Sequence, residues 1–413
     1  MKDNFQLSDY LVFLILSVNL YISTSLPGLF TLKANIHYIQ IGIIMLLLIC
    51  TIQFQKISFN PFNLNSRNVL LICIAAFFIL SSFVINLNNN ADLKSIAKLI
   101  TYPLIAYVFF SYTGKKLLRS YALFEKYMKV FIVAGVVSSI LSIIIFALGI
   151  SPSATYFFTT HGIFVHPNTT SFLYILVIPV TIYFYYIGKI NFFSFTVLLS
   201  LLVIVLLFTY SRAGYLGAFS GALIFTFLRS RSKKIFVITS IVIILIISTF
   251  AIDFLTAKQN SSYSRILLIL TAYNMIFLNS STFLWGYGVY SGVELFREEK
   301  LFFGSYEFVD DPHNFLLLSG IQFGAVLPLL ALLFVLFTYL KFYRIDKKKF
   351  SEKKLLNMYL CISVTAGFLI NNMLEDVIVY PEYYVMPVFL IFLGYLYYSL
   401  NYSDGRDENE GNI

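Results

Sequence analysis

Residues 191–229 read NFFSFTVLLSLLVIVLLFTYSRAGYLGAFSGALIFTFLR. Two apolar runs, 191–210 and 213–229, flank a very short turn holding Ser211 and Arg212. An uncharged run of roughly 20 residues is long enough to cross a bilayer as a helix. So tight a turn has little room to be anything but a transmembrane hairpin. In the second run Gly214, Gly217 and Gly221 share one helical face. Small residues at that spacing let helices approach closely, so their reading is packing.

The rest of the chain repeats this pattern. Hydrophobic residues make up 59% and charged residues 12% of the 413 positions, against roughly 25% charge in a soluble domain. About twelve candidate spans follow, at roughly 8–26, 36–53, 69–86, 96–112, 128–149, 169–187, 191–210, 213–229, 235–254, 313–340, 355–373 and 381–400,. The predicted fold is all-α: a polytopic membrane protein with one transmembrane domain over 1–402, an outer loop over about 255–312 and a polar tail over 403–413. The first apolar run lacks a convincing cleavage site after it and reads as an uncleaved span. Cys50, Cys73 and Cys361 all lie inside apolar runs, without metal-ligand spacing,.

Lys and Arg orient the spans, because acidic residues contribute little to the positive-inside rule. Counting alternate connections, one side carries 21 of the 29 basic residues, which places both termini in the cytoplasm. The clusters RSRSKK and KFYRIDKKKFSEKK are then membrane-flanking anchors, not a nucleic-acid surface. The same topology gathers His166, Arg212, Arg265, Asp310, Asp311, His313, Asn314, Glu375 and Asp376 on the outer face.

His313 lies in DDPHNFLLLSGIQFG, residues 310–324, where a polar loop meets an apolar helix. Asp311 is placed to cap that helix, Pro312 suits its first position, and His313 falls in the first turn. The helix dipole there favours neutral imidazole, opposed by Asp310 and Asp311. A neutral His313 can accept a proton; the plain alternative is a histidine that finishes a loop. Arg212 reads equally as a functional cation or a snorkelling helix-end residue. Arg265 opens SRILLILTAYNMIFLN, expected as an interfacial helix, and serves there as functional cation or headgroup anchor. His166 reads as a loop histidine before a span capped by Asn168 or Thr169. Glu375 and Asp376 either pair with the arginines or bind a hydroxyl-rich acceptor.

Two arginines and a base on one membrane face suggest a chemistry. Guanidinium forks match phosphate oxygens. Fixed cations stabilise the charge that develops as a diphosphate leaves. No DxD-like motif and no metal-ligand spacing is visible, so the expected reaction needs no metal and no cofactor. Transporters place ionisable groups at mid-membrane, where these spans are nearly free of charge. That disfavours the flippase alternative; a non-catalytic scaffold is a more distant one.

At these residues the chain resembles the O-antigen ligase and polymerase family of bacterial glycosyltransferases, over about 161–394. HGIFVHPNTTSFLYIL, TYSRAGYLGAF, the arginine helix running into LWGYGVYSG, and PHNFLLLSGIQFG carry the resemblance in order. It implies an inverting, metal-independent transfer at the outer face of the inner membrane. The implied donor is a glycan on undecaprenyl diphosphate, with Arg212 and Arg265 holding the diphosphate and His313 activating the acceptor hydroxyl. The acceptor is another lipid-linked glycan in a polymerase and lipid A-core in a ligase. The modest outer loop favours the polymerase. A chain-length regulator is a further partner that such a polymerase could require.

Overall fold

The computed structural model describes residues 6–24, 35–52, 66–89, 93–148, 164, 167–230, 259–278, 280–300 and 311–401. His166, Asp310, the expected span 235–254 and the tail 403–413 lie outside the described residues.

The described residues are all-helical, with one isolated bridge between Thr24 and Phe164. The helices are α1 (Leu7–Ile22), α2 (Ile36–Ile52), α3 (Ser66–Asn89), α4 (Leu93–Ile105), α5 (Tyr121–Ala147), α6 (Pro167–Tyr186), α7 (Phe192–Phe208) and α8 (Arg212–Arg229). There follow α9 (Gln259–Phe277), α10 (Ser280–Trp285), α11 (Ser291–Glu299), α12 (Phe315–Phe323), α13 (Val326–Arg344), α14 (Glu352–Asn372) and α15 (Val385–Asn401). Helix α4 runs on into a π-helical stretch, Ala106–Thr113, where Thr113 Oγ1 donates five residues back to Val108 O at 2.8 Å.

Five of the described helical stretches are long and apolar enough to cross a membrane: Ser95–Leu117, Tyr121–Ala147, Asn168–Tyr186, Val326–Arg344 and Glu352–Asn372. The runs expected near 8–26, 36–53, 69–86, 191–210 and 381–400 form shorter apolar helices. Most residues of α6 and α14 are buried, whereas only 28% are buried across the apolar windows of α5 and α13. That contrast puts α6 and α14 at the centre of the bundle and α5 and α13 at its lipid-facing rim.

The small-residue face of α8 packs on α14, the most extensive helix pair among the described residues. A Cβ on Gly217 would sit 2.8 Å from Gly367 O and 3.0 Å from Asn371 Cβ, so only hydrogen fits at that crossing,. The turn between α7 and α8 is as short as the sequence predicts. Ser211 caps α8 by accepting from Gly214 N at 3.0 Å,.

The apolar run 313–340, expected as one span, is two helices. Gly324, at φ 82°, separates α12 from α13. The backbone around 286–288 docks into the break: Tyr287 N donates to Ile321 O at 2.7 Å, Gly288 N to Gln322 O at 3.1 Å, and Ala325 N to Phe283 O at 2.8 Å. These bonds satisfy carbonyls at the end of α12 that a continuous helix would have used itself. A Cβ on Gly286 would lie 2.6 Å from Gly324 N, so both glycines are needed for the approach,.

Candidate functional site

Glu375 is the hub of the polar cluster. It lies in the connection after α14 and is 3% exposed, too buried to carry a charge without partners,. Its Oε1 accepts from Asn168 Nδ2 at 2.5 Å and from Arg265 Nη2 at 3.2 Å. Its Oε2 lies 3.5 Å from His313 Nδ1. One carboxylate therefore joins α6, α9 and the start of α12.

The elements around it are built to hold this arrangement. Arg265 Nη1 donates to Leu374 O at 3.2 Å, so one guanidinium grips both the carboxylate and the backbone before it. Asn314 ties the loop from the other side, donating Nδ2 to Met373 O at 2.8 Å. Its Oδ1 accepts from Leu316 N at 3.0 Å and Leu317 N at 3.1 Å, which makes it the N-cap of α12,.

Several expectations are corrected here. Asp311 does not cap α12, and His313 is not in its first turn; Asn314 caps, and the helix begins at Phe315. Asn314, placed on the outer face with the site residues, uses both ends of its amide to hold the fold. Asn168 and Thr169 lie inside α6, which begins at Pro167 because a proline needs no N–H there,. Arg265 lies in the second turn of α9, which starts at Gln259.

His313 takes φ 47°, and Tyr210, two residues before Arg212, takes φ 50°. They are the two non-glycine residues with positive φ among the described residues. Such backbone strain is held in place by surrounding structure and concentrates at functional sites. At His313 the holding contacts are visible: its N–H donates to Asp311 Oδ1 at 3.0 Å, and its Nδ1 lies 3.3 Å from the same oxygen.

The electrostatics differ from the helix-dipole expectation. Burial alone would lower the imidazole pKa, and Arg265 pulls the same way. The carboxylates of Glu375 and Asp311 outweigh both and raise it above its ordinary value,. Burial, and then the adjacent Asp311 carboxylate, push Asp376 well above the usual carboxyl range. Asp376 and Asp311 are thus placed to share a proton between them. Of the two readings of the late acidic pair, Glu375 takes the arginine, and Asp376 turns to Asp311.

Asp311, His313 and Asp376 each place a potential ligand atom within 4.8 Å of the others. Linear spacing hides this group, since α12, α13 and α14 separate Asp376 from His313 in the sequence. Arg212 begins α8 beside the first turns of α6: Ser211 Oγ lies 3.2 Å from Ser171 Oγ, which donates to Asn168 O at 2.7 Å. The residue that sequence reasoning missed is Asn168. Its place as the second residue of α6, facing Glu375, is visible only once the helix start and the packing are known.

Residues 195–334 match the family model described as O-antigen ligase. Over this internal domain, about a third of its length, the chain is similar to O-antigen ligases. Arg212, Arg265, Asp311, His313 and Asn314 fall within the domain; Asn168, Glu375 and Asp376 lie outside it. With the apolar helices, this similarity indicates a bacterial membrane protein and supports a membrane glycosyltransferase of the O-antigen ligase/polymerase type. No curated protein matches the chain.

Proposed function

We propose that this protein transfers a glycan from a polyprenyl diphosphate to an acceptor hydroxyl, at the outer face of the bacterial inner membrane. The observation that carries the proposal is Glu375 bonded to Arg265 while facing His313 Nδ1. A base and a diphosphate-binding cation are thereby held in one fixed unit.

In this reading His313 Nε2 takes the proton of the acceptor hydroxyl. The freed oxygen pair attacks the anomeric carbon from the face opposite the diphosphate. The bond from that carbon to the diphosphate oxygen breaks, and the electron pair leaves with the phosphate. The sugar is inverted, and no metal is required. Glu375 and Asp311 stabilise the imidazolium that forms. Arg265 and Arg212 stabilise the leaving diphosphate. Arg265 has donors to give: a guanidinium carries five N–H groups, and Nη1 and Nη2 each make one hydrogen bond, to Leu374 O and to Glu375.

A cavity of about 590 Å³ supports a lipid donor. It is lined by Phe315 and Val379, next to the polar cluster, and by Leu327, Ala331 and Val335 along α13. Its wall is almost wholly apolar, which suits a polyprenyl chain and not a soluble sugar nucleotide.

We read the enzyme as a polymerase, with a lipid-linked glycan as acceptor; transfer to lipid A-core, as a ligase, is the second reading, favoured by the description of the matching family model. The spans, the interfacial placement of α9 and the cytoplasmic termini belong to the same proposal. Purified protein given a lipid-diphosphate glycan should form product, and His313→Ala should abolish it. Absence of product from the parent protein would overturn the proposal, and normal turnover by a well-folded H313A variant would remove His313 as its base. A deletion strain separates the readings: single repeat units retained on the lipid acceptor mark a polymerase, and loss of all repeats marks a ligase.

A further inference from the structure

The connection 373–384 carries Glu375 and Asp376, and its second half is gripped by helices from the first third of the chain. Asn19 of α1 donates Nδ2 to Pro381 O at 3.2 Å. Gln40 of α2 donates to the same carbonyl at 3.1 Å and to Asn19 Oδ1 at 2.7 Å. Tyr102 of α4 donates its hydroxyl to Val379 O at 2.9 Å. Each of these is a neutral side chain holding backbone.

Lys98 of α4 is different. Its ammonium lies 3.4 Å from Glu382 Oε1. It also sits 4.9 Å from the Tyr380 ring and 5.5 Å from the Tyr290 ring. It is 5% exposed, so its charge has been taken out of water. A buried ammonium is destabilising unless its partners compensate, and an apolar residue would fill α4 with less desolvation. Here one carboxylate and two aromatic faces compensate it. Both loop partners, Tyr380 and Glu382, belong to the segment that presents Glu375. Tyr380 also connects the two clusters: burial first, then the charges of Asp376 and Asp311, push its phenol well up.

We propose that Lys98, through Glu382 and Tyr380, is a positioning residue that pins 373–384 so that Glu375 meets His313 and Arg265. The proposal rests on the glycosyltransferase reading of that site and adds to it a residue outside the matched domain. It assigns the amino-terminal helices a part in the chemistry besides crossing the membrane. Lys98 touches neither donor nor acceptor in this scheme, so its loss should leave binding intact and disturb turnover.

Turnover of purified protein with a lipid-diphosphate glycan tests this. Lys98→Met should lower kcat by about 10- to 100-fold, the scale of a misplaced catalytic group, with KM for the donor within about twofold. The charge exchange K98E with E382K should recover part of the loss. In an E375Q background K98M should remove little more, because residues that act through one group are not additive. A wild-type kcat for K98M, a rise in KM alone, or fully multiplicative losses in the double variant would each overturn the proposal. Hydrogen exchange reads the clamp independently of activity and of yield, with K98R as the milder substitution. Peptides covering 373–384 should exchange faster in K98M or K98R than in the parent, and unchanged exchange there sinks the idea. If instead the parent protein forms no product, the glycosyltransferase reading falls, and if H313A and E375Q keep normal turnover the roles of His313 and Glu375 fall; in both cases the exchange result still decides the clamp.

Discussion

At the residue scale, His313 is set by two carboxylates and not by a helix terminus. The imidazole must be neutral to accept a proton, so activity should rise with pH through its pKa. Glu375 and Asp311 raise that pKa, which places the rise above the pH where an ordinary histidine would give it. Glu375→Gln removes one stabilising charge and should move this limb toward lower pH. The same variant should lose about 10- to 100-fold in kcat, because imidazolium loses a partner while the base remains. His313→Ala should cost more, about 100- to 10,000-fold, the contribution expected of a positioned base. A pH–rate profile of both variants checks the pair; an unmoved limb in E375Q would detach Glu375 from the base. Arg265 and His313 were legible in the sequence because each sits in a short motif on the same predicted face. Pairing of Glu375 with an arginine was one of two readings, but its bond to Asn168 and its place beside His313 were not legible, since these segments meet only after α6, α9 and α14 have packed. The strained φ of His313 was also hidden, because nothing in DDPHNF distinguishes a helical first turn from a left-handed residue before an asparagine cap.

At the element scale, the break at Gly324 shapes the site. Helix α12 is only nine residues long, and its end is latched by backbone from the 286–288 turn. His313 therefore stands on a short helix whose position depends on a separate segment. Gly324→Ala would place a Cβ 2.2 Å from Leu284 O at a positive φ. The strain should destabilise the protein by roughly 1–3 kcal/mol or force the latch open. Thermal unfolding in detergent should show a lower midpoint, with turnover falling alongside it; an unchanged midpoint would mean that the latch carries no strain. The sequence pattern could not announce this break. The run from Phe315 to Phe334 is uncharged throughout, and a glycine inside such a run is common in membrane helices. The α7–α8 hairpin was legible for the opposite reason: two apolar runs with only a capping serine and an arginine between them admit one geometry.

At the scale of the whole molecule, topology and metal use are open to direct measurement. The proposed orientation puts Glu298, exposed on α11, outside and Lys348, exposed after α13, inside. E298C should therefore label from outside the inner membrane and K348C only after the membrane is opened, and the reverse pattern would invert the mechanism's side. Transfer should be unaffected by chelators. Loss of activity with a chelator, restored by a divalent cation, would reassign Asp311, His313 and Asp376 from proton handling to metal binding, since their ligand atoms are close enough for either. Composition alone made the helical membrane class plain, and charge asymmetry supplied the orientation to test. What it could not supply was the division of labour, because the helices before residue 150 carry no recognisable motif and reveal their use only where they touch 373–384.

The single carboxylate of Glu375 also has an evolutionary reading. It answers to Asn168, Arg265 and His313 at once, across three stretches of chain. A change at any one of them leaves the other two facing a buried charge whose surroundings no longer balance. These four positions should drift as a set among relatives of this chain, with a loss of the acid at 375 accompanied by loss of the amide at 168. Pairwise covariation among them, spanning the edge of the recognised domain, would trace where the working enzyme really ends.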